Sequence, residues 1–129
     1  MWTFDRFEAG ALIGTSVLPV TGTDAERWTA LFPRAGAPQP DRLPAGLAVA
    51  LMMRGYMTIL SDRPPGNVHA GQTLVWGEPI RPGGEVVVSL RCLTKELRND
   101  RRWVTFENRV TATTGQLHLH GQMRMLWAQ

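Results

Sequence analysis

The most apolar stretch of the chain spans residues 43–60 and reads LPAGLAVALMMRGYMTIL. Its polar interruptions are Arg54, Tyr56 and Thr58. The stretch falls short of the roughly 20 apolar residues that cross a bilayer, and Arg54 stands near its middle, so we predict no membrane span. The pattern instead predicts a helix that is apolar nearly all round, and the rest of the fold must enclose such a helix.

The length and composition fit one globular domain. The chain has 129 residues, of which 43% are hydrophobic, and this supports a single modest core. A second domain has no room, and the hydrophobic content is too high for a disordered chain. We therefore predict that residues 1–129 form one domain.

Cys92 is the only cysteine, so no disulfide framework forms within the chain. Because no apolar run lies near the start, we expect no signal peptide and a reducing cytoplasmic location. Cys92 belongs to the alternating run VVVSLRCL, residues 86–93, which predicts a buried position in a strand. A catalytic thiol is the alternative, but buried cysteines are often inert.

The charge is mildly positive, with a formal net value of +3. Lys95 is the only lysine, and the other cations are arginines, which bind phosphate groups well. An ordinary solvated surface explains them equally. The run KELRNDRR, residues 95–102, contains acidic residues and lacks an aromatic platform, so it predicts a polar hairpin tip and no nucleic-acid partner.

The first half of the chain predicts one strand and two helices. Residues 11–20 are typical of a strand, and residues 21–32 of a short helix capped by Thr21 or Thr23. Four prolines then predict an irregular loop, and these are Pro33, Pro38, Pro40 and Pro44. Pro44 also suits the first turn of the long apolar helix, which we expect to end near Ser61 and Asp62.

The second half changes to a period of two, which predicts strands. We expect them at residues 67–80, 85–97, 102–114 and 116–128, joined as a consecutive antiparallel meander. The last strand predicts two faces. One carries Leu117, Leu119, Met123, Met125 and Trp127, and the other carries His118, His120, Gln122 and Arg124. An antiparallel sheet that curls around one central apolar helix, an α+β fold, accounts for both halves of the chain.

These segments resemble the MaoC-like hotdog family of (R)-specific enoyl-CoA hydratases and acyl dehydratases. The likeness lies in residues 63–93 and 103–123, with Pro79, Gly83, Gly84 and Gly115 at the family's turn positions. Upstream, VTGTDAERWTALF resembles the family's capped helix, and LPAGLAVALMM resembles the start of its central helix. The resemblance covers nearly the whole chain and implies a single hotdog domain that acts on acyl thioesters without a further cofactor.

One family motif is missing. Active hydratases carry an aspartate and a histidine in a Gly-Asp-x-Asn-Pro-x-His segment before the central helix. Here that segment reads FPRAGAPQPDRLP, residues 32–44, and contains no histidine. Hydration of an enoyl thioester needs a group that takes a proton from water and a group, or the same group in turn, that protonates the α-carbon. The usual pair is therefore absent from its usual place.

Asp41 and His69 are the candidate replacements. Asp41 is the only carboxylate in the divergent loop, although it is equally typical of a helix cap. His69 is expected on a half-buried strand that borders the helix, where with Gln72 it could reach an acyl tunnel; a packing histidine is the alternative. If these residues form the site, Asp41→Asn or His69→Ala abolishes turnover without unfolding the protein.

Three further residues are candidates for substrate binding. Gly46 remains where many relatives have a His-Gly pair, and its backbone amide at the helix start could donate to the thioester oxygen. Asn67 and Gln72 could orient a carbonyl group or a water molecule, unless they make ordinary hydrogen bonds at a strand edge. His118 and His120 share one predicted face but lack a third ligand, so we predict a solvated face and no metal site.

Two classes of function follow. The first is an acyl-thioester enzyme, either a hydratase or dehydratase with a rebuilt site or a thioesterase. The second is a non-catalytic hotdog that binds acyl groups or completes a heterodimer. The resemblance implies a homodimer or a hotdog heterodimer, with arginines from both chains near the phosphates of coenzyme A.

Overall fold

The structure, a computed structural model, describes residues 1–35 and 39–129. Its elements follow the predicted order and differ from the predicted bounds by a few residues. In chain order they are β1 (Leu12–Pro19), α1 (Gly22–Leu31), α2 (Ala45–Ile59), β2 (Val68–Trp76), β3 (Glu85–Arg98), β4 (Arg101–Ala112) and β5 (Leu117–Trp127). Short 3-10 turns span Phe4–Arg6 and Pro33–Ala35.

The start of α1 and the loop that follows α1 lie where the sequence indicates. Thr21 caps α1, since its Oγ1 accepts a hydrogen bond of 3.2 Å from the Asp24 amide. Within the predicted proline-rich loop, Pro33–Ala35 forms the 3-10 turn, and Gln39 forms an isolated antiparallel bridge with Arg42. Residues 36–38 of that loop, including the predicted loop residue Pro38, lie outside the described residues.

The strand order is β1-β3-β4-β5-β2, and each pair is antiparallel. The predicted meander is correct for β3, β4 and β5 but wrong for β2, which pairs with β5 instead of β3. Alternation fixes which face a strand buries, and it leaves open which strand lies beside it. Residues 77–84, which we call the crossover, therefore form no hairpin turn but cross the end of the sheet.

Backbone hydrogen bonds hold the crossover at both ends. The Glu78 amide donates to Leu117 O beside β5 (3.0 Å), and the Val20 amide after β1 donates to Gly84 O (3.0 Å). Between them, the Leu43 amide donates to Ile80 O (2.7 Å) just before α2. The crossover thus passes directly beside the amino end of α2.

One face of α2 is buried against the sheet, and it comprises Leu47, Ala48, Leu51, Met52, Gly55 and Tyr56. Gly55 permits the close approach, because a Cβ built there would lie 2.4 Å from Val88 Cβ. Arg54, Met57 and Thr58 face outward, so the helix is covered on one side and is not enclosed all round. The α+β fold with an antiparallel sheet around one apolar helix is confirmed. Within the described residues, no helix has the length and apolar character to span a bilayer.

The core divides into two clusters along α2. The cluster under its amino half includes Leu18, Val20, Leu47, Leu51, Ile80, Val86 and Leu119. The cluster under its carboxyl half, which we call the aromatic cluster, includes Phe7, Tyr56, Leu60, Leu90, Cys92, Phe106, Met123 and Trp127. The predicted burial of Cys92 is confirmed, and burial raises the pKa of its thiol, because the thiolate loses solvation. The thiol is thus disfavoured as a nucleophile.

Candidate active site

A cavity of about 340 Å³ opens at the amino end of α2. Its walls come from α1, the start of α2, the crossover and β5. The main lining side chains are Trp28, Arg42, Leu43, Ala48, Trp76, Glu78, Ile80 and His118. The volume lies within the range of small-molecule sites, about 300–1,000 Å³, and the lining is mostly apolar with a few polar groups, as such sites usually are.

The start of α2 supplies hydrogen-bond donors beside this cavity. The amides of Leu47 and Ala48 both donate to Pro44 O (3.0 and 3.1 Å). The amides of Ala45 and Gly46 belong to the first turn, where no earlier helical carbonyl is available to them. The helix dipole adds partial positive charge at the same end. This end of the helix can therefore stabilise negative charge on an oxygen atom.

Gly46 is needed at this position for a steric reason. A Cβ built on Gly46 would lie 2.3 Å from the Trp28 ring, which packs over the helix start and lines the cavity. Trp28 is braced in turn by Phe32, with ring centroids 4.6 Å apart. The predicted binding residue Gly46 thus lies next to Trp28, which lines the cavity, but is not itself a lining residue. Its predicted role as an amide donor stays a prediction.

His118 enters the cavity because of a β-bulge. Val110 pairs with Leu119 and Thr111 pairs with Leu117, so β5 has one extra residue between the two pairs. A bulge of this kind turns a side chain away from strict alternation. The predicted solvated position is therefore wrong for His118, which is only 9% exposed. His120 stays on the outer face, paired with Arg109 and Val75, so the two histidines do not share a face.

The His118 ring is held by the crossover. Its Nδ1 lies 2.8 Å from the backbone oxygen of Glu78. Gly77 allows the two segments to come this close, because a Cβ there would lie 2.3 Å from Leu117 O. Among the described residues, no group of three or more His, Cys, Asp or Glu side chains is placed to hold a metal ion. Of the two histidines, His118 thus lines the cavity and His120 lies on the outer face of the sheet.

Asp41 lies next to the cavity but does not line it. It is exposed and borders a smaller polar depression with Arg42, Glu78, Arg81 and Gln116. Arg42, Glu78 and Pro79 lie between the two spaces, since all three residues line both of them. The proposed role of Asp41 as a base stays a prediction.

The other candidates lie on β2 or, for Asn67, directly before it, and none of them lines the cavity. The predicted half-buried position of His69 is wrong, because β2 is an edge strand and the side chain is exposed; its Nε2 lies 3.1 Å from Gln72 Oε1. Asn67 bonds through both ends of its amide: Nδ2 donates to Pro64 O (3.0 Å), and Oδ1 accepts from the Ala128 amide (2.8 Å). The structure therefore places Gly46 next to Trp28 in the cavity wall and Asp41 beside the cavity, and it keeps His69, Gln72 and Asn67 away from the lining.

An antiparallel sheet packed around one central helix is the architecture of the hotdog fold. The R-hydratase PhaJ1 from Pseudomonas aeruginosa is similar, with 19% identity, a TM-score of 0.79, and coverage of 98% of this chain and 86% of that one. The MaoC-like dehydratase from Rhodospirillum rubrum has 20% identity and a TM-score of 0.76, with 100% and 99% coverage. The HadBC (3R-hydroxyacyl-ACP dehydratase) complex from Mycobacterium tuberculosis has 14% identity and a TM-score of 0.70, with 92% and 96% coverage.

No family model matches the chain, and no curated protein sequence matches it either. At identities of 14–20% the structural likeness establishes the hotdog fold. The hotdog fold that the MaoC-like resemblance implies is therefore confirmed.

Proposed function

We propose that this protein acts on acyl thioesters as a hydratase or dehydratase with a rebuilt site. The observation that carries the proposal is the cavity at the amino end of α2, where an apolar wall, free helix amides and one buried imidazole meet. The substrate would be a thioester of coenzyme A or of a carrier protein, and the reaction would need no further cofactor.

The parts of the cavity match the needs of that chemistry. When water adds to the β-carbon of an enoyl thioester, negative charge moves to the thioester oxygen, and donors at a helix amino end can stabilise it. Leu43, Ala48 and Ile80 offer an apolar wall for the acyl chain. Arg42 at the rim carries a guanidinium group that can pair with phosphate on the carrier.

The free edge of β2 favours a dimer that places a second chain beside the cavity. Val68, Val75 and Trp76 are all about half exposed along this edge strand (52%, 52% and 50%). Trp76 also lines the cavity. An exposed apolar edge strand is a ready template for pairing with another chain. We therefore propose that a like chain or a hotdog partner pairs along β2 and completes the cavity near Trp76.

A partner subunit of a heterodimer is the second candidate. Within the described residues no aspartate and histidine pair lines the cavity, because Asp41 borders the neighbouring depression and His69 is exposed on β2 away from the lining. The similar HadBC dehydratase is itself a complex. In this alternative a second chain supplies the acid and base, and this chain shapes the tunnel.

A direct assay separates these functions. The purified protein is mixed with crotonyl-CoA and with longer enoyl-CoA thioesters, and loss of enoyl absorbance is followed. Hydration by the protein alone supports the proposed enzyme, and hydration only after addition of a neighbouring gene's hotdog product supports the partner subunit. Release of free thiol from an acyl-CoA would instead identify a thioesterase. Absence of all three, together with no binding of butyryl-CoA by calorimetry, would overturn the proposal.

A further inference from the structure

We infer that His118 is the proton-accepting residue of the cavity, with its Nε2 held unprotonated toward the acyl group. This inference rests on the proposed acyl-thioester function and names the residue that performs its proton transfers. It assigns to β5 a task that the sequence resemblance places in the loop before α2.

The hydrogen bond of the ring fixes which nitrogen carries the proton. Nδ1 lies 2.8 Å from the Glu78 carbonyl oxygen, and a carbonyl oxygen can only accept a hydrogen bond. Nδ1 must therefore be the protonated nitrogen. Because neutral imidazole carries one proton, Nε2 then has a free lone pair. This is the tautomer that a general base needs.

The carbonyl that orients the ring is itself firmly placed. The Glu78 amide donates to Leu117 O (3.0 Å), and the Gly77 amide donates to His118 O (2.8 Å). These two bonds lock the start of the crossover to the same stretch of β5 that contains the bulge. The ring thus has its orientation set by backbone atoms at a point where its side chain is nearly buried and faces the cavity.

The proposed step is balanced without any other reactant. Nε2 takes one proton from a water molecule as the water oxygen bonds to the β-carbon, and the electron pair of the C=C bond shifts through the α-carbon to the thioester oxygen. The enolate then collapses and takes the proton from the imidazolium at its α-carbon. One water has been added, the imidazole is neutral again, and the product is a 3-hydroxyacyl thioester. The dehydratase direction is the reverse.

A set of variants distinguishes a base from a packing residue. His118→Asn keeps an N–H donor near the position of Nδ1 and removes the base. We expect kcat with crotonyl-CoA to fall by about 10²–10⁴-fold, the usual share of general acid–base catalysis, while KM changes less than about threefold. His118→Ala should regain part of its activity when imidazole is added. His120→Asn, two residues further along the same strand and outside the cavity lining, is the matched control and should keep wild-type kcat.

Activity of His118→Asn within about threefold of wild type would overturn the inference, as would equal losses in the His118 and His120 variants.

A second measurement does not depend on turnover. With only three histidines in the chain, nitrogen-15 correlation spectra can assign each ring through the variants. A bare Nε2 on His118 that shifts on addition of butyryl-CoA supports the inference, and a protonated or unshifted Nε2 overturns it. If wild-type protein binds butyryl-CoA but turns over no substrate, the proposed enzyme function fails, and the spectra alone decide whether His118 presents its lone pair to the ligand.

Discussion

At its carboxyl half α2 packs on the aromatic cluster, whereas at its amino end it borders a cavity of about 340 Å³. In the cluster, Phe7 contacts Phe106 and Trp127 with ring centroids 5.2 and 5.0 Å apart, and the Trp127 indole donates to Trp2 O (2.7 Å). At the amino end, a second buried cluster packs under the helix, but part of its surface opens into a space with oriented polar groups. One helix thus joins a region that provides stability to a region that is free to bind a ligand, and the following tests probe that division.

The largest expected effect is the truncation of the aromatic cluster. Phe106 is fully buried, so Phe106→Ala should lower the free energy of unfolding by about 3–5 kcal/mol, because it loses burial and leaves a void. Leu43 lies in the wall of the cavity, so its surroundings already include open space. Leu43→Ala should therefore lower the free energy of unfolding by an amount near the lower end of the usual leucine range of about 2–5 kcal/mol. Denaturant titration measures both. A larger loss for Leu43→Ala would contradict the division.

The second effect is a loss of stability at high pH that comes from the same cluster. Burial raises the pKa of Tyr56 from 10.0 to about 12, with Arg63 opposing this in part. The folded state therefore holds the phenolic proton more tightly than the unfolded state, and this contribution is complete below pH 10. As the pH rises from about 10 to about 12, the free energy of unfolding should therefore fall by about 2–3 kcal/mol. This follows from the raised pKa at 1.36 kcal/mol per pKa unit.

Tyr56→Phe is the control for that experiment. The variant should lack this part of the alkaline decline, as seen in unfolding titrations at successive pH values. At neutral pH it should cost little, because the buried Tyr56 hydroxyl finds no hydrogen-bond partner among the described residues. If Tyr56→Phe loses as much stability at high pH as the wild type, other groups cause the loss.

The third effect should be confined to the cavity end. Gly46→Ala places a methyl group 2.3 Å from the Trp28 ring, so the ring must move and reshape the cavity. We expect butyryl-CoA to bind about tenfold more weakly, equivalent to about 1.4 kcal/mol. Trp28→Leu in the same chain should restore part of the affinity, because it removes the clash. Gly22→Ala, whose Cβ would meet nothing within 4 Å, is the matched control in calorimetry.

The smallest effect lies between the two ends. Asn108 is fully buried, and neither its Oδ1 nor its Nδ2 finds a partner in the described part of the chain. Replacing an unpartnered buried amide with an apolar group of similar shape removes a desolvation penalty. Asn108→Leu should therefore change the free energy of unfolding by less than about 1 kcal/mol, or raise it. A loss above that size would mean that the amide is bonded in solution, through ordered water for example.

The sequence predicts the helices and strands better than it predicts how the strands are arranged in the sheet. In β5 the predicted alternation holds for Leu119, Met123, Met125 and Trp127, which are buried, while Gln122 and Arg124 are exposed. Burial of Cys92 followed from the same periodicity. The position of β2 in the sheet does not follow from periodicity, because strand pairing depends on contacts between segments far apart in the chain. His69 was placed beside the helix for that reason and is instead on an exposed edge.

The candidate site was the least predictable part. The alternation of residues 117–127 continues without a break, so this pattern does not predict the bulge that turns His118 inward. The bulge is defined only by the register against Val110 and Thr111 on β4. Glu78 contributes through its backbone oxygen, which is chemically the same in every residue type. Gly46 was found because a helix amino end is visible in the sequence, through Pro44 and the apolar run that follows it.

The crossover suggests how related proteins could change substrate without changing chemistry. Its first residues, Gly77 and Glu78, anchor the imidazole, whereas Ile80 supplies an apolar wall and bonds to Leu43. Lengthening the chain after Pro79 would move that wall and leave the anchor in place. Under the proposed function, chain-length preference and proton transfer would therefore depend on different segments of the crossover, and selection could change one while the other is conserved.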